Sequence, residues 1–106
     1  MRQAMVYFHG RLAGMLREED NGQFTYAYDP RYLIDGEPIA FSIPLSADSY
    51  RWDELPPFFS GLVSEGWLRQ LQAQYQHVDE QDSFGLLLAN GRDLVGAVSV
   101  LPIREP

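Results

Sequence analysis

Residues 4–29 read AMVYFHGRLAGMLREEDNGQFTYAYD, three apolar runs separated by two glycine turns. His9-Gly10 is a two-residue connection in which glycine takes a positive φ freely and histidine tolerates it better than bulkier side chains do. Asn21-Gly22 is the strongest short-range hairpin signal. The runs around these turns therefore pair in order as three antiparallel strands. In the third, Phe24, Tyr26 and Tyr28 share one face and Thr25 and Ala27 the other, the two-residue period of a sheet with one side buried.

Downstream the pattern changes twice. After Asp29-Pro30 and a short turn, Ile39, Phe41, Ile43 and Leu45 alternate with small or polar residues and predict a strand within 38–45. Pro44 has no N–H to give to a ladder, so that strand ends there or lies at an edge. Residues 46–57 read as a polar loop that encloses Tyr50 and Trp52.

Pro56-Pro57 opens the helical half, because proline suits a first helical turn. "PFFSGLV" gives one or two turns, and Ser64 is placed to cap the helix "EGWLRQLQAQYQH". Leu68, Leu71 and Tyr75 recur on it at helical spacing and are expected to face the core. A third helix starts at Asp79 or Asp82 and ends at Asn90-Gly91, with glycine as the residue beyond the cap. "DLVGAVSVLP" returns as the last strand. The expected fold is α+β, a small antiparallel sheet of about five strands, from N-terminal hairpins and a C-terminal strand, packed with two or three short helices. Residues 1–106 form a single domain, with no internal repeat or linker.

A content of 45% hydrophobic and 13% aromatic residues is too apolar for a chain that stays disordered. No apolar run is long enough to span a bilayer, and "MRQAMVYFHGRL" lacks the h-region of a signal peptide, so a soluble, cytoplasmic protein without membrane attachment is expected. The absence of cysteine removes disulfides and thiolate chemistry, and suits that compartment. Fifteen carboxylates face eight arginines and no lysine, a net charge of −7 that would repel a polyanion. Direct nucleic-acid binding is not expected; solubility or a basic partner is.

Catalytic patterns fail on their chemistry. Gly61 and Gly66 have the spacing of a phosphate loop, but Trp67 and Leu68 stand where that loop needs lysine and a hydroxyl. "DEQDSFG" lacks the bidentate glutamate of a calcium loop, since position 90 is Asn. His9 and His77 lie on different elements, so no metal site is expected. No lysine means no Schiff base, and no nucleophile-elbow sequence occurs. Neither catalytic residues nor a cofactor are assigned.

Trp67 lies about 100° around the helix from Leu68, in a row with Leu71 and Gln74 at the boundary between core and solvent. It either packs over the sheet or anchors a partner; tryptophan, tyrosine and arginine dominate binding energy at interfaces. Arg69 and the loop pair Tyr50 and Trp52 complete such an anchoring set.

"FSIPL", a polar loop, "LPPFFSGLVSEGWLRQ" and "DSFGLLLANGRDLVGAVSVLP", in that order, resemble the N-terminal subdomain of HipA-type serine/threonine kinase toxins. The most specific parts are F-F-x-G-L at 58–62, E-G at 65–66 and G-x-D-x-x-G-A-V at 91–98. The family has proline where this chain has Ser64, and none of its kinase motifs occur here. A free-standing copy is similar to the HipS antitoxins of three-gene HipBST systems. That resemblance implies a non-enzymatic antitoxin that binds and neutralises a HipT-like kinase, with a HipB-like DNA-binding protein as a possible third member. The expected partner-binding residues are Trp67, Arg69, Phe59, Glu65, Tyr50 and Trp52. The alternatives are an excised regulatory subdomain of a full-length HipA-type toxin, and a small enzyme using Glu65 and Asp93 as acid and base.

Overall fold

His9 (φ 52°) and Gly10 (φ 77°) both occupy the left-handed region and close the first hairpin, linking β1 (Gln3–Phe8) to β2 (Arg11–Glu18). The structure, a computed structural model, describes residues 2–63, 66–92, 94 and 97–103, the backbone alone at 66 and 67. The second hairpin, to β3 (Phe24–Tyr28), is a residue longer than a two-residue Asn-Gly loop. The Gly22 N–H reaches the Glu19 carbonyl at 2.9 Å, Gly22 takes φ 86°, and the Glu19 N–H reaches the Gln23 carbonyl at 2.7 Å. That is a tight turn followed by a left-handed glycine, the three-residue loop next in frequency.

Two more strands complete the sheet: β4 (Tyr50–Trp52) beside β3 and β5 (Val98–Pro102) beside β1, in the antiparallel order β4-β3-β2-β1-β5. The strand count agrees with expectation, but the identity of one strand does not. The sequence-predicted strand within 38–45 is a loop, while the fourth strand comes from the stretch read as polar loop. The alternation at 38–45 is interrupted by a turn in which the Ile43 N–H reaches the Ala40 carbonyl at 3.1 Å. Ile39 and Ile43 are buried beneath it and Phe41 is fully exposed.

Three tyrosine hydroxyls take the place of a strand partner for this loop. That of Tyr28 accepts from the Ile39 N–H at 3.1 Å and donates to the Ile43 carbonyl. That of Tyr32, on the single turn α1 (Tyr32–Asp35), accepts from the Glu37 N–H at 3.2 Å and donates to the Glu37 carbonyl. Tyr50 donates to the Pro44 carbonyl at 2.8 Å. The Ile39 N–H and Ile43 carbonyl are buried and must find partners, and here a side chain supplies them.

One face of the sheet carries the core: Ala4, Val6, Leu16, Tyr26 and Val100 are completely buried on it. The helices α2 (Pro57–Ser60), α3 (Gly66–Gln76) and α4 (Ser83–Asn90) follow, and Phe59 from α2 and Phe84, Leu86 and Leu87 from α4 join that core. Phe84 meets Phe24 edge to face at 5.4 Å. The Asp82 carboxylate, rather than that of Asp79, caps α4, accepting from the Gly85 N–H at 3.0 Å. Gly91 ends α4 with φ −65°, so it is no left-handed cap. Close approach is what it supplies: a Cβ there would stand 1.9 Å from the Val100 carbonyl oxygen, whose own N–H donates to the Gly91 carbonyl at 2.9 Å. The last strand begins only at Val98. The cap expected at Ser64, and Asp93, Val95 and Gly96 of the stretch expected to form the last strand, lie outside the described residues.

Candidate functional site

α3 turns a different face to the core than its leucines predict. Among the described side chains of α3 the buried one is Ala73; Arg69 and Gln76, one turn to either side of it, bind the segment that opens and forms α4. Arg69 donates through Nε to the Glu80 carbonyl at 2.8 Å and through Nη2 to the Ser83 hydroxyl at 2.9 Å. Gln76 and Asn90 exchange two amide hydrogen bonds, 2.8 and 3.0 Å long. This polar seam, not an apolar stripe, joins the two helices. His77 ends α3 at φ 55°, letting the Val78 N–H reach back to the Ala73 carbonyl at 3.0 Å.

Leu68, Leu71 and Tyr75 consequently point outward, at 44%, 38% and 81% exposure. Their spacing of three and four residues makes them one stripe along the helix. An apolar row on a helix already seated by its opposite face has the character of a helix-in-groove ligand or of a surface for one. Trp67 stands one turn before Leu71 in the sequence of α3; its side chain, like Glu65 and Asp93, lies outside the described residues.

The other expected contact residues divide by position. Phe59 is completely buried and belongs to the core. Tyr50 and Trp52 lie on one face of the edge strand β4, half-buried, their rings stacked at 5.9 Å and 8°. They stand opposite Tyr26 and Phe24 in the register and close that edge of the core. Arg69 is occupied within the domain. The sequence reading placed the leucines of α3 inside and so missed the stripe; the signal was present in Ala73, whose small side chain allows close approach at a helix contact.

The ionised groups with defined partners are structural. The Arg2 guanidinium holds Glu18 through Nε and Nη2 at 2.9 and 2.8 Å, and Asp82 through Nη1 and Nη2 at 2.7 and 3.0 Å. Its hydrogen bonds hold the Asp82 carboxyl below the usual range. Among the described residues no three histidine, aspartate or glutamate side chains gather as a metal ion would require, and no helix is long and apolar enough to cross a membrane.

A five-stranded sheet with this helix order can be compared with known proteins. The family model for the HipA N-terminal domain matches residues 4–101. The chain belongs to the HipA N-terminal domain family. A solved structure titled as the N-terminal domain of HipA toxin superposes with a TM-score of 0.79 at 35% identity, covering 100% of this chain and 96% of its own. An uncharacterised protein of Haemophilus influenzae is 39% identical over 100 residues, spanning 94% of this chain and 92% of its own length. A putative kinase of Sinorhizobium fredii is 33% identical over 104 residues, which are 96% of this chain but 25% of the kinase. The HipA chain of a Shewanella oneidensis complex with HipB and operator DNA has the same fold, with a TM-score of 0.76 at 19% identity. Sequences similar to this chain thus occur both as a quarter of a putative kinase and as nearly all of a small uncharacterised protein.

Proposed function

We propose that this chain is a HipS-like antitoxin, a non-enzymatic domain that binds a HipT-like serine/threonine kinase in trans and lowers its activity. The observation that carries the reading is the double occurrence of the domain, once within putative kinases and once in a protein of about this chain's own length. A surface that packs on a kinase core within one chain can do so between chains, with an interface of roughly 1,600 Å² in total. The outward row of α3 supplies apolar side chains for it, beside the expected anchor Trp67. The charge of −7 favours a basic face on the kinase. A HipB-like DNA-binding protein is a candidate third member, and the cytoplasm is the compartment such a complex requires.

The test is to mix the protein with the kinase encoded beside it, look for a stable complex on a sizing column, and measure the phosphorylation rate. Complex formation with a lowered rate supports the antitoxin reading. Failure to bind would remove it. The 25% coverage of the kinase relative favours a second reading, in which the same surface works within a longer HipA-type chain; a longer open reading frame would establish that.

A further inference from the structure

We propose that Phe41, at the tip of the 37–44 loop, enters an apolar pocket of the partner kinase edged by a cationic side chain, a contact separate from the α3 face. The inference rests on the kinase-binding reading above.

Exposure alone would carry little, because single apolar residues are common on protein surfaces. The scaffold of this one is what distinguishes it. Phe41 is 105% exposed, as free of its own protein as an isolated residue. Yet the loop behind it is fastened at Glu37, Ile39, Ile43 and Pro44 by the hydroxyls of Tyr32, Tyr28 and Tyr50. Those tyrosines are themselves fixed, with the rings of Tyr28 and Tyr32 stacked at 6.0 Å and 3°. Pro38 and Pro44 narrow the backbone further. A ring held out on so constrained a turn loses little freedom on binding, which is how a preorganised anchor gains affinity.

The surroundings define the chemistry of the occupant. Beside the ring is a hollow of about 560 Å³ lined by Pro38, Ile39, Ala40, Phe41 and Pro44, with Glu37 as its one charged wall. The matching surface is therefore a pocket for the ring, an apolar group for the hollow, and an arginine or lysine for the carboxylate. Glu37 is exposed, and its carboxylate has no partner among the described residues, whereas nearby Asp35 is already paired with Arg11. In a chain of charge −7 this favours a basic rim on the kinase.

The experiment measures affinity and association rate of the kinase complex for the wild type, Phe41→Ala, Glu37→Lys and Leu71→Glu, with thermal unfolding of each. Phe41→Ala is expected to weaken binding at least about 30-fold, chiefly through faster dissociation, with an unchanged unfolding midpoint. Glu37→Lys is expected to slow association and to reduce its salt dependence. If Phe41→Ala binds as the wild type does while Leu71→Glu does not, the kinase reading stands and the Phe41 contact is wrong. If the wild type itself fails to bind, both fall. If Phe41→Ala instead dissolves a dimer of the wild type without altering kinase affinity, the ring meets a second copy and the proposal is overturned.

Discussion

Tyr26 and Tyr28 meet edge to face with ring centres 4.9 Å apart, and their hydroxyls have opposite fates. That of Tyr28 bridges Ile39 and Ile43; that of Tyr26 is buried without a partner among the described residues. Burial pushes both phenols up from their ordinary range. The same deletion of one oxygen should therefore act differently two residues apart. Tyr28→Phe leaves the buried Ile39 N–H unsatisfied and should cost about 1–3 kcal/mol, whereas Tyr26→Phe removes a group that is paid no compensation and should be neutral or mildly stabilising. Urea unfolding of the two variants decides it, and equal losses would contradict the arrangement.

Gly91 separates two physical expectations of opposite sign. Its φ is ordinary, so helix propensity alone says that Gly91→Ala stabilises by up to about 1 kcal/mol. The 1.9 Å approach of a Cβ to the Val100 oxygen says that β5 must move, at a cost of about 1–3 kcal/mol or more. A fall of several degrees in the unfolding midpoint is expected. A rise would show that α4 and β5 are not packed this closely.

Acid should loosen the clasp between the first strand and α4. Asp82 is depressed below its ordinary value of 3.8 by the hydrogen bonds from Arg2. A carboxyl lowered in the folded state adds stability that is fully present above its unfolded value and lost as pH falls through the folded one. The contribution of this pair should fade below about pH 4. Asp82→Asn keeps a capping side chain but no charge, so the stability difference from the wild type should shrink between pH 6 and pH 3. A difference that stays constant across that range would mean the charge is not what matters.

The two sides of α3 should separate stability from binding. Arg69→Ala removes both donors to Glu80 and Ser83 and should lower stability by about 1–2 kcal/mol, read by thermal unfolding. Leu71→Glu, on the exposed side, should leave the midpoint within a few degrees and weaken the kinase complex at least tenfold in a binding titration. Trp67→Ala should weaken it by at least about 2 kcal/mol if Trp67 is an anchor. Loss of stability at Leu71 with intact binding would reverse the assignment of faces.

The hairpins were legible because their turns are local: two left-handed residues at His9-Gly10 and one at Gly22 are written in the residue types themselves. The buried row Phe24, Tyr26 and Tyr28 was legible by its period. Residues 38–45 misled because their alternation is real but serves a loop, and the tyrosine hydroxyls that satisfy it come from flanking elements whose side-chain directions the alternation does not reveal. α3 misled for a related reason. A leucine stripe marks an apolar face of the helix; it does not say that the core of its own domain covers that face. Arg69 was found as a candidate contact by residue type alone, and only its partners on the α3–α4 seam show where it is engaged.

β1, the first strand to be made, lies between β2 and β5, the last described strand, with Val6 opposite Val100. On a ribosome at about 5–20 residues per second, roughly 5–20 s separate the emergence of these two strands. Throughout that interval β1 has a bare edge, the kind of template that invites pairing with other chains. The core lacks Val98 and Val100 until the end, and closure over so long a separation is intrinsically slow. The domain therefore completes its sheet late, and a chain interrupted anywhere before β5 would carry an open sheet edge in place of the closed β1–β5 pairing.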